Sequence, residues 1–219
     1  MIVVAIDGPS GAGKSSTAKL VAARAGWSYL DTGALYRAVT WLALRESVSG
    51  AEEILSALKR YPLRFVSSAS NPQIFVGDVD VTADIRSEEV TSGVSNLSAI
   101  AEVRAELLLI QRKLIASADR GIVVEGRDIG TVVAPDAALK IYLQADISAR
   151  ANRRSAEIES SVGPVGEALS TRDEIDSSRA ISPLIKAKDA VLIDSTDLNL
   201  EDTVERVWEL LRERSLLGL

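Results

Sequence analysis

The chain has 219 residues, of which 47% are hydrophobic and 26% charged, and its formal net charge is −6. This composition predicts a soluble globular protein with a substantial core, and the negative charge argues against a general nucleic-acid-binding surface. The sequence contains no cysteine and no histidine, which excludes disulfides, zinc thiolate sites and histidine-based acid–base catalysis. Since the chain has no apolar run of ~20 residues and no basic N-terminal leader, we expect a cytoplasmic protein without a membrane span.

Strand-like and helix-like runs alternate along most of the chain. The strand-like runs are short and largely apolar, and they cover residues 2–6, 27–30, 121–124, 139–143 and 190–193. The helix-like runs carry apolar residues at helical spacing, and they cover residues 14–25, 34–46, 51–60, 101–118 and 200–214. This alternation predicts an α/β fold with a five-stranded parallel sheet that has helices on both faces.

Two stretches interrupt the alternation. Residues 62–82 contain three short strand-like runs separated by turn residues, which predicts a small antiparallel sheet inserted into the fold. Residues 155–171 are rich in Ser, Gly and Glu and lie between arginine clusters. This second pattern predicts a flexible lid that covers phosphates, and the alternative is an ordinary solvated loop. The flanking arginines are Arg150, Arg153, Arg154, Arg172 and Arg179.

The turn between the first strand and the first helix carries the strongest motif. Residues 8–15 read GPSGAGKS and match the P-loop pattern GxxxxGK[ST]. Glycines let the backbone N–H groups of such a turn converge on one point, where the helix N-terminus adds partial positive charge. We predict that Lys14, as a solvent-facing donor, binds the β- and γ-phosphates of ATP and that Ser15 holds Mg²⁺. The predicted ATP-binding residues of this turn are Gly8, Pro9, Ser10, Gly11, Ala12, Gly13, Lys14, Ser15 and Ser16.

A second turn, Asp31–Arg37, gathers a hydroxyl, a tyrosine and an arginine where a strand meets a helix. Thr32 and Arg37 can bind a second phosphate there, assisted by the helix N-terminus. The alternative is a capped helix in which Tyr36 packs and Arg37 is solvated.

A third turn, Glu125–Gly130, directly follows the strand at residues 121–124 and reads EGRDIG. Parallel sheets build their sites at the carboxyl ends of their strands. Arg127 can neutralise a phosphate there, and Asp128 can accept a hydrogen bond from a base amino group or from an arginine. The alternative is a tight turn with a local Arg–Asp pair.

Taken together, these motifs resemble those of the bacterial cytidylate (CMP) kinases, within the nucleoside-monophosphate kinase group. The motifs occur in the order IDGPSGAGKSS, LDTGALYR, DVTADIRSEEV, VEGRDIGTVVAPDA and RDEIDSSRAISPL, and the likeness covers essentially the whole chain. The P-loop is shared by many families, whereas the other four motifs are much more specific. The resemblance implies one kinase domain over residues 1–219. Within it, residues 32–118 would form the monophosphate-binding region that includes the insert at 62–82, and residues 150–172 would form the lid.

The resemblance also implies roles for single residues. The residues implied to lie at the CMP phosphate are Thr32, Tyr36, Arg37 and Arg127. The residues implied to read cytosine are Ser95, Arg104, Asp128 and Arg179, and those implied to contact the ribose are Arg172 and Asp176. The lid arginines implied to close over ATP are Arg150, Arg153 and Arg154. The cations implied to act in catalysis are Lys14, Arg127 and Arg153.

These features predict an enzyme that transfers the γ-phosphoryl group of MgATP to CMP or dCMP. Because the acceptor is already an anion, the reaction depends on positioning and charge neutralisation rather than on a histidine base. We expect a monomer whose partners are these nucleotides, without nucleic acid or membrane. A kinase for another monophosphate, such as UMP, is the nearest alternative. A GTP-dependent switch would need an Asn-Lys-x-Asp motif, and Lys186–Asp189 reads KAKD without the asparagine.

Overall fold

The computed structural model describes residues 1–158 and 161–217, and within them two sheets form. The parallel sheet consists of β1 (Ile2–Asp7), β2 (Ser28–Asp31), β6 (Gly121–Gly126), β7 (Leu139–Gln144) and β8 (Val191–Asp194). The small antiparallel sheet consists of β3 (Leu63–Val66), β4 (Gln73–Val76) and β5 (Val79–Asp80). The larger sheet has the order β2-β6-β1-β7-β8, which places the strand that leads into the P-loop at its centre. The predicted parallel sheet and antiparallel insert are both confirmed.

The register of the central strands brings the three motif turns to one edge of the sheet. Asp7 at the end of β1 pairs with Gly126 at the end of β6, and Asp31 at the end of β2 pairs with Glu125. Because parallel strands all end at the same side, the P-loop, the Asp31–Arg37 turn and the Arg127 turn emerge next to one another.

Helices pack on both faces of the parallel sheet. The α-helices of the described residues are α1 (Lys14–Ala25), α2 (Thr32–Glu46), α3 (Ala51–Arg60), α4 (Glu88–Leu97), α5 (Ala101–Ala116), α6 (Ile147–Ile158), α7 (Val162–Ser178) and α8 (Leu200–Glu213). Residues of α1, α2, α3, α5 and α8 join the cores of the sheet, whereas α6 and α7 share a small core with each other. Alternate residues of β1 serve the two faces, as the pleat of a strand requires. Ala5 packs in the core that contains residues of α2, α3 and α5, whereas Val4 and Ile6 pack in the core that contains residues of α1 and α8.

Residues 155–171, which the sequence predicts as a flexible lid, are largely helical where the structure describes them, and their movement stays a prediction. α6 continues through residue 158 and α7 begins at Val162. Pro164 is compatible with this helix because it lies in the first turn, where a backbone N–H has no helical acceptor. Ala151, Val165 and Leu169 form a small core of their own between the two helices. Residues 159 and 160 of the predicted lid lie outside the described residues.

Several shorter elements were not predicted or differ at their ends. α4 follows a 3-10 turn at Asp84–Arg86, and its cap is Ser87, whose Oγ accepts a hydrogen bond from the backbone N–H of Val90 at 3.4 Å. α2 begins at Thr32 rather than at residue 34, because Asp31 Oδ1 accepts from the N–H of Ala34 at 3.0 Å. A π-helical turn, Ile129–Val133, follows β6. Over residues 1–158 and 161–217, the helices are all too short or too polar to cross a membrane.

Candidate active site

The P-loop has the geometry of an anion cradle. Gly8, Gly11 and Gly13 have φ values of 150°, 78° and 90°. A side chain at Gly8 would also collide with the chain, since a Cβ there would lie 2.0 Å from the carbonyl oxygen of Leu143. Because Gly13, which has no side chain, caps α1, the backbone N–H groups of the first helical turn remain available to an anion. These residues therefore fit the phosphates of a nucleotide.

Lys14 is buried rather than solvent-facing, which corrects the prediction from the sequence. Its side chain lies against the loop and the residue is 6% exposed, with Nζ donating to the carbonyl oxygen of Pro9 at 2.7 Å. Burial, followed by the neighbouring positive charge of Arg127, lowers the pKa of Lys14. A phosphate placed in the cradle would favour the charged form of this amine, because an opposite charge nearby stabilises it.

Glu125 connects the P-loop to β6 and was not among the predicted site residues. The Ser15 hydroxyl donates to Glu125 Oε2 at 2.9 Å, and the buried Tyr29 hydroxyl donates to Glu125 Oε1. Burial, with the nearby Asp31 carboxylate as a second cause, raises the pKa of Glu125. A hydroxyl oxygen beside a carboxylate suits Mg²⁺, which commonly takes one or two protein oxygens and completes its shell with phosphates and water. The signal for Glu125 in the sequence was its place at the end of a buried strand.

Arg127 joins the P-loop to α7. Its Nη1 donates to the carbonyl oxygen of Gly8 at 3.1 Å, and its Nε donates to Asp176 Oδ2 at 2.7 Å. Although burial opposes the effect, Arg127 holds the pKa of Asp176 below its usual value. The structure thus brings two of the predicted catalytic cations, Lys14 and Arg127, to the same loop.

Arginines converge beside this loop on the side of α2. Arg37 donates through Nη1 to Thr91 Oγ1 at 2.7 Å and to the carbonyl oxygen of Ile85 at 3.2 Å. Burial, followed by the charges of Arg172 and Arg86, lowers the pKa of Arg37 to about 10. Burial and the charge of Arg127 likewise lower the pKa of Arg172 to about 10. Mutually repelling, partly buried arginines of this kind favour the binding of an anion among them.

Two residues near these arginines differ from expectation. The Thr32 hydroxyl, predicted as a donor to phosphate, instead donates to the backbone carbonyl oxygen of Glu125 at 2.7 Å. The reason is its position as the first residue of α2, which sets it against the end of β6. Arg86 was not predicted, although the DVTADIRSEEV motif contains it. Its Nη2 lies 3.5 Å from Asp31 Oδ2.

The residues predicted to read a base form a connected group. The buried pair of Arg104 and Asp128 has an Nη2–Oδ2 distance of 2.5 Å. Ser98, which was not predicted, accepts from Arg104 Nη1 through its carbonyl at 3.1 Å and from Arg179 Nη1 through Oγ at 3.4 Å. Ser95 joins the group through its carbonyl oxygen, which accepts from the Ser98 hydroxyl at 2.9 Å. Ser98 is the C-terminal cap of α4, a helix that the sequence analysis did not predict.

One aromatic and one acidic side chain, Tyr36 and Asp176, lie beside this group. The Tyr36 ring centroid lies 5.3 Å from the guanidinium carbon of Arg104. Asp176 Oδ1 lies 3.6 Å from Arg179 Nη2, so that Asp176 contacts both Arg127 and Arg179. The predicted phosphate, ribose and base residues therefore share one continuous region.

The three arginines of α6 have different surroundings. Arg150 Nη1 donates to the Ser10 carbonyl at 3.0 Å and to Asp173 Oδ2 at 2.6 Å, which places it against the P-loop. Arg154 is close enough for its charge to contribute to the lowered pKa values of Arg37 and Arg172. Arg153 is not brought to Lys14 and Arg127.

Arg153 binds the loop between β8 and α8. Its Nη2 donates to the carbonyl of Ser195, and also to that of Leu198 at 3.2 Å, while Nη1 donates to Ser195 Oγ at 3.2 Å. In this arrangement Arg153 contacts the β8–α8 loop rather than Lys14 or Arg127, and its catalytic role stays a prediction. The position on α6 explains the difference, since successive residues of a helix point in different directions.

Comparisons with known proteins identify the family of the chain. The family model described as cytidylate kinase matches residues 4–213. A cytidylate kinase of Streptomyces avermitilis is 51% identical over 216 residues, which cover 97% of this chain and 94% of that protein. A cytidylate kinase of Streptococcus pneumoniae (strain 70585) is 45% identical over 214 residues, which cover 94% of this chain and 95% of that protein.

Solved structures share the fold at much lower identity. A gluconokinase from Sinorhizobium meliloti 1021 has a TM-score of 0.52 and 16% identity, with 98% of this chain and 97% of that chain covered. An uncharacterized protein from Eubacterium ventriosum ATCC 27560 has a TM-score of 0.55 and 10% identity, with 97% and 99% covered. The family match and the relatives at 45% and 51% identity decide the assignment, and the chain belongs to the cytidylate kinase family.

Proposed function

We propose that this chain transfers the γ-phosphoryl group of ATP to CMP or dCMP in the presence of Mg²⁺, giving ADP and CDP or dCDP. Its family supports the reaction, and one contact supports the placement of the two substrates. Arg127 donates to Gly8 of the P-loop and to Asp176 beside the base-reading group. One guanidinium therefore lies between the cradle proposed for ATP and the pocket proposed for CMP.

On the ATP side, the backbone N–H groups of the P-loop and the Lys14 amine would bind the transferred phosphoryl group. Ser15 Oγ, with Glu125 behind it, would hold Mg²⁺. The bound ion supplies positive charge that offsets the charge of the phosphates. The protein donors are held in place before the nucleotide arrives, so that charge stabilisation needs little rearrangement.

On the CMP side, Arg37 and Arg127 would neutralise the acceptor phosphate, with Arg172 beside them at the ribose. Two polyanions repel each other strongly, and guanidinium groups between them lower the cost of bringing them together. Burial, and then the charges of neighbouring arginines, lower the pKa values of the partly buried cations Arg37 and Arg172. A dianionic phosphate among them would favour their charged forms.

For the base, Asp128 would accept from the 4-amino group of cytosine. Arg104 and Arg179 carry only donors, and they would serve the acceptor atoms of the ring. Ser95 would line the same pocket through α4. These roles follow the resemblance to the family and are consistent with the contacts among Arg104, Asp128 and Ser98.

The helix pair α6–α7 would act as the lid, and residues 32–118 would enclose the monophosphate. Arg150 already contacts the P-loop, so closure of this pair would bring positive charge over ATP. Exclusion of water by a lid protects ATP from hydrolysis. We further propose a monomer without a nucleic-acid surface, which light scattering and a DNA-binding titration would test.

The proposed reaction is tested by incubating the purified protein with MgATP and one monophosphate at a time. We expect stoichiometric ADP and CDP with CMP, and ADP and dCDP with dCMP, measured by phosphorus NMR. Removing the metal with EDTA should abolish turnover, and added Mg²⁺ should restore it. Product formation with UMP, AMP or GMP but not with CMP would contradict the proposal.

A further inference from the structure

Asp7 is a buried carboxylate at the junction of the two proposed substrate sites. It is the last residue of β1, directly before the P-loop, and it is 4% exposed. Its Oδ1 accepts from the N–H of Ile129 at 2.8 Å, and its Oδ2 accepts from the N–H of Gly130 at 2.8 Å. Both oxygens are therefore committed to the backbone of another turn.

The turn that Asp7 holds is the one that carries the base-reading residue Asp128. Ile129 and Gly130 are the first residues of the π-helical turn, whose N–H groups lack helical acceptors. The Asp128 carbonyl accepts from the N–H groups of Val132 at 2.8 Å and Val133 at 3.1 Å. The two hydrogen bonds from the N–H groups of Ile129 and Gly130 to Asp7 therefore fix the backbone on the C-terminal side of Asp128.

A second contact ties the same two segments in the opposite direction. Arg127, which precedes Asp128, donates to the carbonyl oxygen of Gly8, which follows Asp7. Each turn therefore bonds through a side chain to the backbone of the other: Asp7 accepts from Ile129 and Gly130, and Arg127 donates to Gly8. Such a closed ring restricts their relative position more than either contact alone.

The tie is also tight in space. A Cβ added to Gly130 would lie 3.4 Å from Asp7 Oδ2 and 3.2 Å from Cδ of Lys140. The absence of a side chain at Gly130 allows this close approach of backbone to carboxylate. Burial raises the pKa of Asp7 to about 6. A carboxylic acid therefore occupies this position although burial makes its ionised form less stable.

We infer that Asp7 is a positioning residue that sets the Arg127–Asp128 turn relative to the P-loop and thereby governs the affinity for the acceptor nucleotide. Asp7 reaches the substrate only through Ile129 and Gly130, and it takes no part in the chemistry. The inference rests on the proposed function, because it assigns the acceptor pocket to Asp128 and its neighbours.

The inference predicts that Asp7→Asn weakens the binding of CMP but not the binding of ATP. This change keeps the shape of the side chain but replaces one acceptor with a donor. Loss of a charge-assisted backbone hydrogen bond should raise the KM for CMP by about tenfold. The Kd of a non-hydrolysable ATP analogue, measured by calorimetry, should change by less than about twofold. Gly130→Ala places a methyl group against the same contact from the opposite side. It should likewise raise the KM for CMP and leave the Kd of the ATP analogue nearly unchanged.

Leu211→Ala in α8 is the matched control, because it removes a buried side chain far from this turn. It should lower the melting temperature while leaving the KM for CMP unchanged. An unchanged KM for CMP in both Asp7→Asn and Gly130→Ala would overturn the inference, as would equal loss of affinity for both ligands or a KM shift in Leu211→Ala. If Asp7→Asn does not fold, Gly130→Ala decides the outcome.

A readout that does not use activity separates this inference from the proposed function. In ligand-free protein, hydrogen exchange at the amides of Ile129 and Gly130 should be faster in Asp7→Asn than in wild type, and Leu211→Ala should not reproduce a selective increase there. Wild-type protein that does not phosphorylate CMP would defeat the proposed function. Unchanged exchange at both amides would defeat the tie through Asp7.

Discussion

At the scale of single residues, Lys14 is a buried amine held against the P-loop backbone. Its amine donates to Pro9 within the loop, and burial lowers its pKa. We expect Lys14→Ala to reduce kcat by ~10²–10³-fold or more, because it removes a preorganised cation from the transferred phosphoryl group. Steady-state ADP formation with CMP measures this. Lys59→Ala, at an exposed lysine of α3, is the control, and near wild-type turnover in Lys14→Ala would contradict the role of the loop.

The proposed role of Arg37 is on the acceptor side alone, whereas Arg127 contacts both the P-loop and Asp176. Arg37 bonds to Thr91 and Ile85. We expect Arg37→Ala to raise the KM for CMP by about 10–100-fold through loss of charged hydrogen bonds to phosphate. Binding of a non-hydrolysable ATP analogue, measured by calorimetry, should persist.

The control for Arg37→Ala is Arg60→Ala, at an exposed arginine whose Nη2 lies 3.4 Å from Glu46. That change should leave both substrates unaffected. Equal loss of affinity for CMP and for the ATP analogue in Arg37→Ala would show that Arg37 does not serve the acceptor specifically.

Asp128 should determine the choice between cytosine and uracil. Uracil presents an acceptor where cytosine presents its amino donor, so that the Asp128 carboxylate would face a like partner. We expect Asp128→Ala to lower kcat/KM for CMP more than for UMP, and therefore to reduce their ratio. Asp136→Ala, at an exposed aspartate, should keep the wild-type ratio. A ratio unchanged by Asp128→Ala would show that another group reads the base.

Much of the site at this scale could be predicted from the sequence because the motif residues follow strand ends. Arg127 and Asp128 follow β6 and lie where parallel topology requires. Contacts through backbone carbonyls could not be predicted. Arg153 shares an arginine-rich helix with Arg150, yet the direction of its side chain depends on the loop at Ser195, and no pattern in the sequence records that contact.

At the scale of elements, α6 and α7 share a small apolar core that is separate from the two cores of the sheet. Their own core holds three buried residues, and the ion pair of Arg150 and Asp173 joins them beside the P-loop. Segments with small cores open more readily than the central sheet. We expect an inhibitor that links ATP and CMP mimics to slow hydrogen exchange in residues 147–158 and 162–178, measured by mass spectrometry.

The comparison for this experiment is α8, which packs behind the sheet away from the proposed substrates. Its exchange should change little when the inhibitor binds. Equal exchange in α6 and α7 with and without the inhibitor would mean that the helix pair does not close over the nucleotides.

The strands of the parallel sheet could be predicted from the sequence, whereas the helix α7 of the proposed lid could not. Strands such as β1 and β6 are continuous apolar runs because both of their faces are buried. α7 contains two glycines, a proline and several serines and buries only Val165, Leu169 and Asp176, so its helical stripe is weak. Packing against α6, rather than local propensity, accounts for such a helix.

At the scale of the whole molecule, Asp7 should make stability depend on pH. Burial raises its pKa from 3.8 to about 6, so the folded protein binds this proton more tightly than the unfolded chain does. Stability from the protonated form is therefore fully present below pH 3.8 and is lost as the pH rises through about 6. The free energy of unfolding of wild type, relative to Asp7→Asn, should fall across this window and stay constant above it.

Urea denaturation of both proteins at several pH values measures that difference. Using the variant as reference cancels the contributions of the other carboxylates, such as Asp176, whose pKa shifts in the opposite direction. A difference that does not vary between pH 3.8 and about 6 would show that Asp7 has an ordinary pKa.

The selectivity of wild type for CMP over UMP is the most direct test of the proposed phosphoryl transfer to a cytosine nucleotide. It is measured as the ratio of the two kcat/KM values for ADP formation under MgATP. A site built for one hydrogen-bonding pattern can reject another by up to ~10⁴–10⁵-fold, and water in the pocket reduces that figure. We expect a ratio of at least about tenfold in favour of CMP, since one lost or mismatched hydrogen bond accounts for that much. Equal efficiency with CMP and UMP would contradict recognition of cytosine by Asp128, Arg104 and Arg179.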